Sequence, residues 1–293
     1  MPEPRGDGPL DLLPRWPLVV VIALVVLGVA IVPLRWYIGK RAAGELIVPA
    51  RADTTTPRSL GVPYADLTLR SGDHGIQAWW VRSPALDSAR PAVLLFHANR
   101  STLSDQAGIQ QVLYRAGISS LAFDYSGFGA SAGEPTPAAL RQDALAAFAA
   151  FADSARPAGR RVLLGTSLGA AVLLDAIVDL QTGADGVVLV GAFTSARDLA
   201  VRAGRVPRLM SFLVPNLYDN VEAVSRVTKP LLIVHSAQDQ VFPIDDAERL
   251  LEAAPVAKRL LRLDRGGHAA YLSSGADWVP VIDFIKRGLD VKP

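Results

Sequence analysis

The chain has no cysteine, which excludes disulfides, thiolate nucleophiles and cysteine metal sites. It also has little surplus charge, because 30 basic residues stand against 28 acidic ones, without a block of one sign. This balance argues against a nucleic-acid partner, which would require a basic surface. Histidine is scarce as well, and the four residues are dispersed without an H-E-x-x-H pair. We therefore expect neither a metal site nor an organic cofactor.

What is present begins with a long apolar run. Half of the 293 residues are apolar, enough for one domain of about 230 to 250 residues with an appendage. Residues 16–34 carry no charge, and a helix of that length spans the ~30 Å core of a bilayer. A buried core helix would have a polar face, and a signal peptide, the closest alternative, would have small residues where Arg35, Lys40 and Arg41 stand. We predict an uncleaved membrane anchor over residues 16–37.

The flanks of this anchor bear on its orientation. A tail at residues 1–15 holds two arginines, whereas four basic residues, Arg35, Lys40, Arg41 and Arg51, follow the charge-free run 16–34. Positive residues favour the cytoplasmic side, so this count places the rest of the chain in the cytoplasm, by a margin of two charges that leaves both orientations open. Residues 38–63, with glycine, proline and a threonine run, are predicted to be a linker.

After the linker, strand-like runs alternate with helical spacing. Two period-two segments, 65–71 and 76–83, predict a hairpin. Continuous apolar runs, typical of strands buried on both faces, follow at residues 92–97, 118–124, 161–166, 186–191, 230–235 and 259–264. Helical spacing separates them near residues 103–116, 137–152, 168–181, 244–254 and 277–288. The pattern predicts an α/β domain over residues 64–293, with a mostly parallel eight-stranded sheet and helices on both faces.

A serine lies where the fifth predicted strand ends. The segment Gly165-Thr166-Ser167-Leu168-Gly169 joins that strand to a helix of small and apolar residues. Reactive groups of parallel sheets collect at the carboxyl ends of strands, and a sharp strand-to-helix turn holds a serine hydroxyl outward. The flanking glycines leave space for neighbouring elements. The placement, more than the pattern itself, predicts Ser167 as a nucleophile; the alternative is an ordinary strand-to-helix turn.

A serine hydroxyl needs a base to remove its proton, and only histidines are suitably placed. His74 falls in the predicted hairpin turn and is interpreted as an exposed turn residue. His97 and His235 end strands, where we interpret them as supports for loops. His268 follows two glycines after the last strand, which can carry its imidazole over the sheet. It is the predicted general base.

The base in turn needs a carboxylate that holds its tautomer and stabilises its cation. Asp239 follows a strand directly and lies in a loop before a helix. Asp245 and Asp246 begin that helix, where negative charge is favoured for structural reasons. Asp198, beyond another strand, is the competing candidate. Asp239 is the predicted acid.

These residues resemble the α/β-hydrolase superfamily, over about residues 65–289. Residues 96–99 are similar to its H-G-N loop, residues 124–131 to D-Y-x-G-x-G-x-S, and residues 235–243 to H-G-x-x-D-x-x-V-P. The chain most resembles the membrane-anchored lipases, lysophospholipases and protein depalmitoylases of the superfamily. The resemblance implies the α/β-hydrolase fold, and its chain order of serine, acid and histidine is the one found here.

The resemblance also implies an oxyanion hole made of two backbone N–H groups. Leu168 supplies one, and the loop after the third strand supplies the other, with Asn99 as the expected donor and Ala98 as the alternative. Ala98 and Ser236 stand where the family pattern has glycine. If position 98 required a positive φ, alanine would cost about 1 kcal/mol and would misplace the donor.

Residues 196–227 are longer than an ordinary crossover between strands. We interpret them as a small cap that lines an acyl pocket; one helix and a loop packed on the sheet is the alternative. The leading hypothesis is hydrolysis of a small-molecule or lipid-like carboxylic ester or thioester through a serine acyl-enzyme. A serine peptidase or acyltransferase on the same fold is an alternative. A non-catalytic, membrane-anchored binding protein is the alternative of a different class.

Overall fold

The structure is a computed structural model that describes residues 16–51, 54–84, 87, 89–268 and 272–289. The predicted tail at residues 1–15 lies outside the described residues. The N-terminal apolar run forms one helix, α1 (Trp16–Leu46), which is long and apolar enough to cross a membrane. Its most apolar stretch is not buried against the rest of the protein.

Helix α1 is longer than predicted. The predicted linker from residue 38 is wrong for residues 38–46, because the helix continues there. Ile38, Ala42 and Leu46 recur every four residues, so they lie on one face, and all three are partly buried. That face packs against the segment at 196–227, and this tertiary contact stabilises turns whose polar composition indicated a linker.

The domain is built on one eight-stranded sheet with the spatial order β1-β2-β4-β3-β5-β6-β7-β8. Strands β1 and β2 form the predicted antiparallel hairpin, β2 pairs antiparallel with β4, and the remaining pairs are parallel. The strands are β1 (Ala65–Ser71), β2 (His74–Val81), β3 (Pro91–Phe96), β4 (Ser119–Phe123), β5 (Arg160–Thr166), β6 (Gly186–Val190), β7 (Leu231–Ser236) and β8 (Lys258–Leu263). The predicted mostly parallel sheet is confirmed.

Helices cover both faces of the sheet. They are α2 (Leu103–Arg115), α3 (Pro137–Ser154), α4 (Leu168–Asp175), α5 (Ile177–Leu180), α6 (Ala196–Arg202), α7 (Asn220–Val224), α8 (Ile244–Ala253) and α9 (Gly275–Arg287). Helices α2 and α9 pack on one face, whereas α3, α4, α5, α7 and α8 pack on the other. Alternate residues of a strand serve the two cores: Val93 and Leu95 face α2 and α9, and Leu94 faces the opposite layer. This is why the central strands are apolar at every position.

We call residues 196–227 the cap. They comprise α6, a 3-10 helix (Arg208–Leu213) and α7. The cap packs closely on α1, since a Cβ added at Gly39 would lie 2.7 Å from Pro215 Cγ. The Arg35 guanidinium also donates a hydrogen bond to the carbonyl of Phe212. These contacts hold α1 beside the cap.

Candidate active site

Ser167 occupies a strained turn between β5 and α4. Its φ of 53° and ψ of −114° lie in a region that non-glycine residues rarely adopt. The Ser167 N–H donates to the carbonyl of Val190 on the neighbouring strand at 2.9 Å, which helps to hold this conformation. The hydroxyl therefore stands at the carboxyl edge of the sheet, where the predicted nucleophile was expected.

The two glycines beside Ser167 are required by close packing. A Cβ at Gly165 would lie 2.6 Å from the carbonyl oxygen of Gly169, and one at Gly169 would lie 2.1 Å from that of Phe96. Both distances are far below van der Waals contact with backbone that cannot move aside. The prediction that only the smallest residues fit these flanks is confirmed.

The structure brings three distant residues together over this edge. His268 Nε2 lies 3.2 Å from Ser167 Oγ, and His268 Nδ1 lies 2.8 Å from Asp239 Oδ2. Phe242 packs against the imidazole edge-on, with ring centroids 4.5 Å apart. The imidazole is thus held between a hydroxyl and a carboxylate, the arrangement that general-base catalysis needs.

Asp239 is held by its own loop. Its Oδ1 accepts hydrogen bonds from the N–H groups of Val241 at 2.8 Å and Phe242 at 2.9 Å, which leaves Oδ2 directed at His268. The competing candidate, Asp198, lies on α6 and pairs with Arg249 at 3.2 Å. Of the two carboxylates, the structure therefore places Asp239 against the imidazole.

Ser236 joins the loops that carry the acid and the base. Its hydroxyl donates to the carbonyl of Gly266, two residues before His268, and accepts from the N–H of Gln238 at 3.1 Å. Sequence reasoning noted Ser236 only as a departure from the glycine of the family pattern. Ser236 ends β7 opposite the His268 loop, and this contact is a tertiary fact that no local signal reveals.

The other histidines lie outside this chain of hydrogen bonds. His235 contacts the acid loop through Phe242, with 2.8 Å between Nε2 and the carbonyl oxygen. His97 similarly contacts the carbonyl of Ala98 at 2.8 Å. Both support loops, as predicted. The interpretation of His74 as an exposed turn residue is wrong, because it begins β2 and its Nε2 lies 2.7 Å from Ser126 Oγ.

The residues predicted for the oxyanion hole lie beside Ser167, and Ala98, Asn99 and Leu168 line the same cavity as its hydroxyl. Among the described residues, none of their backbone N–H groups donates to a protein acceptor, and Leu168, as the first residue of α4, has no intrahelical acceptor. Ala98 does not have a positive φ; Arg100 does, at 58°. Alanine at position 98 is therefore accommodated without the strain considered above.

A buried pair lies behind the loop of Ala98 and Asn99. His97 Nε2 is 3.5 Å from Asp124 Oδ1. Burial lowers the pKa of His97 to about 4, and the hydrogen bond with Ala98 opposes the shift only in part. Burial likewise raises the pKa of Asp124 to about 7, against the hydrogen bond from the N–H of Leu103. Both shifts favour uncharged side chains, so we interpret the pair as a support for the loop.

Ser167 faces a cavity of about 710 Å³, within the range of small-molecule sites. The cap contributes Leu199, Arg202 and Ala203 to its wall. Glu45 and Leu46, the last residues of α1, also line it. Sequence reasoning missed the contribution of α1, although the four-residue apolar spacing that continues beyond residue 37 was a signal that could have found it.

Comparisons with known proteins agree with this geometry. A family model described as serine aminopeptidase, S33, matches residues 87–222, which include Ser167 and end before Asp239 and His268. An uncharacterised protein of Mycobacterium tuberculosis is 29% identical over 255 residues, which cover 86% of this chain and 87% of the relative. An uncharacterised membrane protein of Saccharomyces cerevisiae is 26% identical over 242 residues, which cover 80% of this chain and 84% of the relative.

Solved structures superpose on about the same share of the chain as these relatives cover. An esterase of Pyrococcus furiosus superposes with a TM-score of 0.66 at 19% identity, covering 83% of this chain and 97% of the esterase. At that identity the likeness shows the fold alone, and the support for a hydrolase comes from the family match. The chain therefore has the α/β-hydrolase fold, and its residues 87–222 match a hydrolase family model.

Proposed function

We propose that this protein is a serine hydrolase that cleaves carboxylic esters or thioesters, with Ser167 as nucleophile, His268 as general base and Asp239 as the orienting acid. The observation that carries the proposal is the continuous hydrogen-bond chain from Asp239 through His268 to Ser167. A serine in an ordinary turn has no reason to adopt a strained, positive-φ conformation beside an imidazole that a buried carboxylate holds.

In the first step, Ser167 Oγ attacks the substrate carbonyl carbon while His268 Nε2 takes the hydroxyl proton. The resulting oxyanion is bound by the N–H of Leu168 and by that of Asn99, with Ala98 as the alternative donor. Asp239 stabilises the imidazolium that forms. The bond between the carbonyl carbon and the leaving oxygen or sulfur then breaks, and His268 returns its proton to the leaving group.

In the second step, water replaces the leaving group. His268 removes a proton from this water as its oxygen attacks the acyl carbon of the ester on Ser167. The tetrahedral intermediate collapses, the carboxylic acid leaves, and the proton returns to Ser167. The cycle needs no redox change and balances with one water consumed for each ester cleaved.

A peptidase is the alternative that a specific observation favours. The matched family model is described as a serine aminopeptidase, and Glu45 in the cavity is a carboxylate of the kind that binds a free amino group. The apolar residues around it, such as Leu46, Leu199 and Phe242, favour an acyl chain instead. We therefore place the ester first.

We further propose that α1 is a single-pass membrane anchor. Its length and hydropathy fit a bilayer, and the relative from Saccharomyces cerevisiae is named a membrane protein. The protein is then expected in the membrane fraction after an alkaline carbonate wash; release into the supernatant would contradict the anchor. The charge count adds the proposal that the domain faces the cytoplasm.

Covalent labelling tests the proposed enzyme. A fluorophosphonate probe is expected to label the full-length protein and not Ser167→Ala, whereas the control Ser126→Ala should be labelled like wild type. Absence of labelling in folded wild type would favour the non-catalytic binding protein. Rates on p-nitrophenyl esters and on an amino-acid p-nitroanilide then separate the two hydrolases, because a preference for the anilide would overturn the ester assignment.

A further inference from the structure

A second cavity of about 490 Å³ lies between α1 and the cap. The walls are mainly aliphatic, and their apolar members include Ile38, Ala42, Leu46, Leu199, Val206 and Val214. Its charged lining residues are Arg41, Glu45 and Arg205, of which Glu45 and Arg205 pair at 3.8 Å. An aliphatic cavity of this size with a few charged groups suits an extended hydrocarbon chain with a polar end.

This cavity adjoins the one that holds Ser167. Glu45 and Leu46 of α1 and Leu199 and Ala203 of the cap line both. The last turn of α1 therefore forms a wall common to both cavities. A chain lying in the second cavity would have its carboxyl end directed towards Ser167.

The cavity also begins close to the expected membrane boundary. The charge-free run of α1 ends at Leu34, and Trp36 and Tyr37 are aromatic residues of the kind that concentrates at bilayer interfaces. Ile38, at the start of the cavity, lies about 5 Å along the helix from Arg35, at a rise of 1.5 Å per residue. The end of the cavity that Ile38 lines is therefore within about one helical turn of the expected membrane boundary.

The 3-10 helix of the cap lies beside the end of the charge-free run of α1. Arg35, at the end of the charge-free run, donates to the carbonyl of Phe212 in the 3-10 helix of the cap. That helix exposes three large apolar side chains, with 89% of Leu209, 45% of Met210 and 52% of Phe212 accessible. Such exposure is unfavourable in water and favourable in the interfacial region of a bilayer.

We propose that the cavity between α1 and the cap binds the acyl chain of a long-chain lipid ester, which passes from the bilayer along α1 to Ser167. This inference rests on the proposed esterase function and names its substrate class. Helix α1 is then part of the substrate site as well as the anchor.

Two variants of α1 test the proposal in the full-length protein reconstituted in phosphatidylcholine vesicles. Ala42→Trp fills the cavity, because Ala42 is partly buried in its wall. Gly44→Trp is the matched control, since a Cβ at Gly44 has no atom within 4 Å. Ala42→Trp should reduce kcat/KM for p-nitrophenyl palmitate about tenfold, equivalent to losing contact with about two methylenes, and change that for p-nitrophenyl acetate less than about twofold.

The control should keep both rates within about twofold of wild type. An Ala42→Trp protein whose palmitate rate matches that of wild type would overturn the proposal. So would a chain-length preference that Gly44→Trp alters equally. Failure of the esterase function itself is distinguishable, because wild type would then cleave neither ester and would not react with the fluorophosphonate.

A binding measurement tests the acyl site even if the protein cleaves neither ester. Ser167→Ala in vesicles containing a diazirine-labelled palmitic acid should, on irradiation, carry adducts in residues 38–46 and 199–206, and Ala42→Trp should lose them. This readout requires no turnover. Adducts confined to the membrane-spanning residues 16–34 would contradict an acyl site between α1 and the cap.

Discussion

Two serine–histidine–aspartate sets occur among the residues that the structure describes, and their surroundings suit only one of them to catalysis. Ser126 Oγ lies 2.7 Å from His74 Nε2, whose Nδ1 lies 3.0 Å from Asp73 Oδ1. These distances are similar to those of the other set, which are 3.2 Å between Ser167 and His268 and 2.8 Å between His268 and Asp239. Hydrogen-bond distances alone therefore do not separate the two sets.

The surroundings of the two hydroxyls differ. Ser126 is fully buried, and its hydroxyl donates to Asp143 Oδ1 at 2.9 Å, so its proton already has an acceptor. Ser167 instead faces a cavity on a strained turn, and its hydroxyl contacts the imidazole of His268.

The carboxylates of the two sets, Asp73 and Asp239, differ in their exposure to solvent. The side chain of Asp73 is 99% exposed, and its hydrogen bond with His74 lowers its pKa. The side chain of Asp239 is fully buried and receives two backbone N–H groups. Catalysis requires an accessible serine hydroxyl with a transferable proton and a carboxylate that solvent does not screen. The set of Ser126, His74 and Asp73 has neither.

The largest difference is expected between the two serines. Ser167→Ala should lower kcat on a short p-nitrophenyl ester by about four to six orders of magnitude, because it removes the nucleophile. Ser126→Ala should leave kcat within about twofold. Both are measured on protein whose circular dichroism matches that of wild type. An equal loss in the two variants would contradict the assignment of the nucleophile.

The histidines should separate next. His268→Gln removes the base while retaining a polar side chain, and kcat should fall by about two to four orders of magnitude. His74→Gln should leave the rate within about twofold. A His268→Gln enzyme that works at the wild-type rate would remove this imidazole from the mechanism.

A smaller effect is expected for the acids. Asp239→Asn keeps the shape of the side chain and removes its charge, so the imidazolium loses its stabilisation and kcat should fall by about a hundredfold or more. Asp73→Asn should change kcat very little, since water screens that carboxylate. If Asp198→Asn produced the larger loss, the competing acid would replace Asp239.

The smallest expected effect concerns stability, where Ser126→Ala should cause a greater loss than Ser167→Ala. Ser126→Ala leaves the buried Asp143 with one donor fewer, and the free energy of unfolding should fall by about 1–3 kcal/mol. Ser167→Ala should change it by less than about 0.5 kcal/mol. Denaturant unfolding in detergent measures both. A greater loss in Ser167→Ala would mean that its turn contributes mainly to folding.

The sequence predicted the sheet and the strand-end positions of Ser167, Asp239 and His268, for a physical reason. Strands buried on both faces must be apolar throughout, and a turn as tight as that around Ser167 requires glycine at residues 165 and 169. Both constraints leave their mark on short stretches of consecutive residues, which can be recognised in the sequence. The predicted end of the N-terminal helix was wrong, because contacts with the cap hold residues 38–46 helical. The cap lies about 150 residues or more further along the chain.

By itself, the sequence determined the order of strands and helices, the membrane-compatible helix and the elbow that presents Ser167, since each depends on local hydropathy and backbone sterics. Tertiary structure alone decided that Asp239 and not Asp198 reaches His268. It also decided that the hydroxyl proton of Ser126 is already bound by Asp143, and that the last turn of α1 lines the cavity of Ser167. These facts depend on distances between residues far apart in the chain, which only the packed fold sets.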